Sequence, residues 1–419
     1  MAGSYFSMKP VYFYIILVYL LLIHQVLNSQ IYFSNRYDFM LNSTPSFSGD
    51  IIQNGNTFLL LNESIHGNQQ YRLFGFIFLD SMGYRISNDL KYEDSLCGFA
   101  TGYPGALIKA QNQNGYALIG IKYSYVPNGR WDRGMLWRFD NTLDTLWTKT
   151  YNDDPPHDTS FLFRNFRPLP DGSFIIVGSH GLVDGTAPIR INLHRVDSLG
   201  NLIWRKYYGS GYTHFLPFDV SRTSDNGYII GSVMCPIDPN NAQDDDPYLL
   251  KTDTIGNVQW SRHLGNPDCR EEYVMIDISL DGKIICGTSY SDTCWGYGDN
   301  LGKINIIKID NSNTIIWDKK YGIQKHWLFI NKIRCLENGD IITTGHYDYY
   351  NEITRNEVSW ILKTDSAGNE LWYREYMLLT ATFSQNILSM SFPHRITALL
   401  PAARCGHTLP TPEPRTRGC

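Results

Sequence analysis

The chain has 419 residues, is 43% hydrophobic and 14% aromatic, and carries a formal charge of −5, which excludes a disordered polyelectrolyte and leaves room for one large repeat domain. Lys9 accounts for one positive charge and residues 377–419 for three net, so the body between them stands at −9, and an acidic body argues against a nucleic-acid partner. Eight cysteines occur without a CxxC pair or a regular metal-ligand spacing.

Residues 1–29 are expected to be a signal peptide. Lys9 precedes an uncharged apolar run from Val11 to Ile23, and His24 to Ser29 are polar enough to hold a cleavage site. The run is shorter than the roughly 20 residues a membrane span needs, and no second span follows. A secreted or cell-surface location is therefore expected, one that permits disulfides.

Residues 30–376 read as a repeat. Asp80, Asp140, Asp197, Asp253, Asp310 and Asp365 recur at intervals of 60, 57, 56, 57 and 55. Trp147, Trp204, Trp260, Trp317 and Trp372 each follow such an Asp by seven residues. A second marker, an Asn-Gly or Asp-Gly pair, has its glycine at Gly55, Gly115, Gly172, Gly227, Gly282 and Gly339. The Asp is expected to accept backbone N–H groups in a turn, and the glycine to supply positive φ. Apolar, β-branched runs flank both markers, so each repeat is expected to hold two hairpins, or four strands A to D, with the Asn-Gly and Asp-Gly pairs in two-residue turns. The fold expected is an all-β propeller with six complete four-stranded repeats, seven-bladed with an incomplete closing blade.

The closing blade is read from the two ends of this body. Ile31 to Tyr37 align with D strands such as Ile315 to Tyr321, so a D strand precedes the first A strand. Residues 377–419 carry no turn marker and end in PAARCGHTLPTPEPRTRGC, an atypical tail in which the matching A to C strands are expected to be missing.

The segments DSLGNLIWRKYYG, DTIGNVQWSRHLG and DSAGNELWYREY resemble the secreted propeller-like repeat proteins of Bacteroidota, which commonly end in a type IX secretion sorting domain. The resemblance covers roughly residues 31–376 and implies a repeat type and export, with no defined activity. The first repeat, DSMGYRISNDLKY, lacks the Trp, and no sorting domain is recognisable.

Function is expected on the end of the ring that carries the longer B–C and D–A connections, because long loops on a rigid scaffold hold binding groups. Trp131, Trp295, Tyr297, Trp327, Tyr347 and Tyr349 are candidates for an aromatic platform, weighed against packing between blades. Asp244, Asp245 and Asp246 are candidate oxygen ligands for calcium, weighed against a solvated acidic loop, since three consecutive carboxylates lack the spacing of a calcium loop. No other cofactor is expected. Cys269 is expected to bridge to Cys235 or Cys294. No GxSxG, HExxH or phosphate-loop motif occurs. The function expected is a non-enzymatic scaffold for an extracellular protein or glycan; the alternative is a polysaccharide hydrolase or lyase using carboxylates of the same loops.

Overall fold

The computed structural model describes residues 46–377, apart from short stretches between strands, together with 391–392 and 396–397. The expected signal peptide and the leading strand Ile31 to Tyr37 lie outside the described residues. No helix among the described residues is long and apolar enough to cross a membrane.

The described residues form six antiparallel blades in a ring, each running outward in chain order. Blade 1 holds β1 (Ser46–Asn54), β2 (Thr57–Ile65), β3 (Arg72–Leu79) and β4 (Arg85–Tyr92). In blade 2 the first strand is split into β5 (Gly98–Thr101) and β6 (Leu107–Lys109), both pairing with β7 (Tyr116–Val126), followed by β8 (Gly129–Phe139) and β9 (Thr145–Tyr151). Blade 3 is β10 (Thr159–Pro168), β11 (Phe174–Leu182), β12 (Arg190–Val196) and β13 (Leu202–Tyr208). Blade 4 is β14 (Thr213–Arg222), β15 (Tyr228–Pro236), β16 (Asp246–Thr252) and β17 (Val258–His263). Blade 5 is β18 (Val274–Ile278), β19 (Ile284–Tyr290), β20 (Leu301–Ile309) and β21 (Ile315–His326). Blade 6 is β22 (Phe329–Cys335), β23 (Ile341–Tyr350), β24 (Arg355–Thr364) and β25 (Glu370–Met377). The first strands of successive blades adjoin one another, so strand A lines the axis and strand D the rim.

Burial follows from that arrangement. A strand sandwiched between neighbouring blades is covered on both faces, so β19 reads as a continuous buried run rather than an alternation. The rim strand β17 alternates between exposed and half-buried residues, with Trp260 on the covered side. The core is mainly aliphatic and aromatic, with Ile276, Ile285, Ile306 and Ile333 among the side chains that bury blade against blade.

The recurrent Asp residues occupy equivalent C–D turns. Asp197 Oδ1 accepts the N–H groups of Leu199 and Asn201, and Asp310 and Asp365 repeat the pattern with residues two and four positions on. The Thr314 N–H beside Asp310 and the Asn369 N–H beside Asp365 hold those carboxyls below the usual range. The left-handed position of this turn falls on Gly83, Gly200, Gly256 and Gly368, but on Leu143 and Asn313 in blades 2 and 5.

The A–B turns differ from the two-residue turns expected. Asn54 to Thr57 keeps that form, whereas Leu169 to Ser173, Thr223 to Gly227, Ser279 to Lys283 and Leu336 to Asp340 close three-residue loops. A type I pair followed by one left-handed residue suits the twist of the flanking strands, and that residue is Gly172, Gly282 or Gly339. In blade 4 it is Asn226, so Gly227 sits one place beyond the left-handed position.

The recurrent Trp completes a joint between blades. Cβ atoms added at Gly200, Gly256 and Gly368 would meet the Trp147, Trp204 and Trp317 rings of the preceding blade. Four residues beyond each of these Trp, the hydroxyls of Tyr151, Tyr208 and Tyr321 donate to the carbonyls of the same three glycines at 2.7, 2.7 and 2.6 Å. In blade 4 the joint changes chemistry, Trp260 Nε1 donating to Asn311 O at 2.7 Å. Tyr208→Phe is expected to cost about 1 kcal/mol, because it leaves the Gly256 carbonyl without its donor; urea unfolding of the two proteins measures it.

Polar staples join the inner strands. The carboxylate of Asp50 accepts the N–H of Ile51 and of Leu107 in the next blade, and Asp219 likewise accepts from Val220 and Ile276. Asp277 Oδ2 accepts Cys335 N at 2.8 Å, and Asn165 Nδ2 donates to Phe218 O. Asp219 also pairs with Arg167 at 2.6 Å. Asp50, Asn165 and Asp219 each directly follow a β-bulge in strand A, a device that re-aims a side chain.

Where the ring meets itself, β26 (Ser391–Phe392) and β27 (Ile396–Thr397) form a short hairpin. β26 lies against β1 and β27 against β22, so this part of the tail stands between the inner strands of the first and last blades. Tyr376, the last blade's counterpart of the joint tyrosines, is 38% exposed, against 8% for Tyr151 and 7% for Tyr321.

Candidate functional site

Strands A and C start, and strands B and D finish, at the end of the ring opposite the tight turns. On that end basic side chains sit against aromatic rings in three blades. In blade 3 the Arg205 guanidinium lies 5.5 Å from the Phe161 ring centroid and 5.4 Å from that of Tyr207, which in turn packs on His180 at 4.6 Å. In blade 5 Lys320 Nζ lies 4.1 Å from the centroid of Tyr290, and Lys325 reaches across to Tyr347 of blade 6 at 4.4 Å. Such contacts hold a cation at a ring face while leaving it charged.

The candidate residues from the sequence separate into several environments. Tyr347 is buried at 4% exposure; Lys325 donates to its hydroxyl at 3.2 Å, and burial pushes the phenol up. It packs in the core rather than offering a face, which corrects its assignment to an open platform. Trp131 and Tyr349 are placed by backbone alone, opposite Ser124 and Asn356 in the long strands β8 and β23. Trp295, Tyr297 and Trp327 lie outside the described residues.

The acidic loop is also reshaped. Asp244 lies outside the described residues, but Asp245 and Asp246 are 9% and 5% exposed, so they are not the solvated acids weighed against a calcium site. The reason is that the loop runs directly into β16, where Asp246 pairs with Met234, while Glu271 N donates to Asp245 O at 2.8 Å. Glu271 is itself buried and accepts the Ser291 N–H at 2.6 Å. Among the described residues no group of three His, Cys, Asp or Glu side chains is arranged to hold a metal ion.

Cys235 is half-buried in β15 opposite His214; Cys269 and Cys294 lie outside the described residues. Cys286 is a buried thiol, and burial pushes it up, so it is inert.

Sequence reasoning missed His194. Its ring is buried among Tyr151, Phe161 and Phe163 with centroids at 5.9, 6.0 and 5.2 Å, and burial pushes it down to about 3. It is a neutral packing group near pH 7. The basic–aromatic pairs were also missed, although the runs WRKYY and WDKKY hold Arg205, Lys320 and the Tyr207 ring in plain view.

No family model and no curated protein matches the chain. Among solved structures it is similar to an α-L-arabinanase of Penicillium chrysogenum complexed with arabinobiose, at 13% identity, covering 80% of this chain and 97% of that one, with a TM-score of 0.46. It is also similar to an ulvan lyase, at 7% identity, 81% and 86% coverage and a TM-score of 0.46. An α-L-arabinofuranosidase of Fusarium graminearum aligns at 11% identity, 72% and 87% coverage and a TM-score of 0.45. These likenesses concern strand architecture alone.

Proposed function

We propose that the chain is an exported, non-enzymatic scaffold that engages a protein or a surface glycan through the end of the ring bearing the B–C and D–A connections. The observation that carries this reading is the pair of half-buried rings at that end that each hold a basic side chain, Tyr207 with Arg205 in blade 3 and Tyr290 with Lys320 in blade 5. A ring face offers apolar area to a sugar or side chain, and the adjacent cation offers a partner for a carboxylate or sulfate.

A hydrolase or lyase would need a carboxyl group able to exchange its proton during the reaction. Asp50, Asp219, Asp277 and Glu271 are instead acceptors for backbone N–H groups. Those bonds tie these four acids to holding the blades, which leaves Asp245 and Asp246 as the described loop-end carboxylates for the enzymatic alternative.

The test is a glycan array and a protein pull-down with the full secreted chain, run beside an Arg205→Glu/Lys320→Glu double variant. Both side chains lie away from the joints between blades, so the variant is expected to fold. Retention weakened about tenfold or more supports the reading, that being the worth of one charge-assisted contact. Equal retention by the two proteins counts against it.

A further inference from the structure

In blades 1, 3 and 4 the residue that follows the inner-strand bulge is Asp50, Asn165 or Asp219, and its oxygen accepts a backbone N–H. Blade 6 has the same bulge, between Ile330 and Lys332, but places a lysine there. An ammonium has three donors and no acceptor, so it cannot make the staple.

Lys332 is 1% exposed, and its Nζ has no hydrogen-bond partner among the described residues. The charged groups acting on it are Asp219 from β14, Arg167 from β10, Arg334 from its own strand and Asp50 from β1. Only the axis is close to inner strands of blades 1, 3, 4 and 6 together, which places the ammonium there. The two carboxylates in that set are already engaged: each holds two backbone N–H groups, and Asp219 also pairs with Arg167. Arg334 is drawn to Asp277 at 3.6 Å. Among the described residues the lysine is thus an axial charge whose donors find no acceptor, and a buried charge without hydrogen bonds is costly.

We propose that Lys332 is the centre of an axial anion site that takes a small oxyanion or a carboxylate group. An oxygen of such a ligand supplies the acceptor that blade 6 lacks, and the nearby Arg167 and Arg334 add positive field. Two properties follow. The ligand stabilises the folded chain by mass action. Without it the lysine burdens the fold, and burial brings the ammonium from its usual 10.5 down to about 8, so occupancy falls as pH rises through that value.

The experiment compares the full chain with Lys332→Met, using sodium sulfate and sodium acetate as probes against sodium chloride at matched ionic strength. The wild type is expected to show a saturable rise in melting temperature with at least one probe, and Lys332→Met to lose it, with affinity by calorimetry reduced about tenfold or more. In chloride alone Lys332→Met is expected to be the more stable protein, because it removes an unpartnered buried charge. That advantage should shrink from pH 8 towards 10.5, where the wild-type lysine is neutral when folded and charged when unfolded. Sulfate also stabilises proteins by exclusion, a response both chains share. Identical probe responses in the two proteins, or a Lys332→Met chain that is less stable or fails to fold in chloride, would overturn the proposal.

Discussion

Asp219→Ala is expected to destabilise the ring by about 3–5 kcal/mol, the cost of removing one partner of a buried ion pair. The side chain is fully buried, accepts the N–H of Val220 and of Ile276 in the next blade, and faces Arg167 at 2.6 Å. Alanine takes the carboxylate from the guanidinium, which keeps only Asn165 Oδ1 and the Phe166 carbonyl, and leaves two backbone donors unpaired. Asp219→Asn keeps an acceptor in place and should lose less. Guanidinium denaturation of the three proteins gives the ranking; a loss below about 1 kcal/mol for Asp219→Ala would mean that the inner staples do not hold blades 4 and 5 together.

Gly200→Ala is expected to cost about 2–5 kcal/mol, from two sources that a control separates. The residue has φ of +77°, where an L side chain loses about 1–2 kcal/mol, and the added Cβ would stand 2.7 Å from the Trp147 ring of blade 2. Moving that ring out of its seat adds a packing term of about 1–3 kcal/mol. Gly55→Ala has the same backbone problem, with φ of +62°, yet nothing lies within 4 Å of its Cβ. The difference between the two losses therefore measures the blade joint. Equal losses would show that the Trp does not depend on the turn glycine.

Much of this frame was legible because one packing problem recurs. Each C–D turn needs an acceptor at its first residue and a small or left-handed residue three places on, and each rim strand needs a ring to cover that turn, so Asp, Gly and Trp return in step. Where another residue solves the problem the marker breaks, as with Leu143 and Asn313 in the turn position. The inner staples were harder to see. Asp50, Asn165, Asp219 and Asp277 share a task, but the bulges shift their spacing, and at the same position Lys332 reverses the charge.

The functional end was legible only in outline. The sequence placed the long connections on one end but could not say that Tyr347 folds inward or that Asp245 and Asp246 are drawn into β16, because both outcomes depend on neighbouring strands. Arg205 and Tyr207 lie two residues apart, but the other cation–aromatic pairs join residues far apart in the chain, such as Tyr290 with Lys320, and have no local signature.

The most direct test of the binding reading is to incubate stoichiometric wild-type protein with heparin, alginate, arabinan and xylan, and to follow both retention on the polysaccharide and chain cleavage by reducing-end and unsaturated-uronate assays. The account predicts retention of at least one polysaccharide, or of a protein in the pull-down, with no new chain ends. Catalytic release of oligosaccharides from any of the four would contradict it.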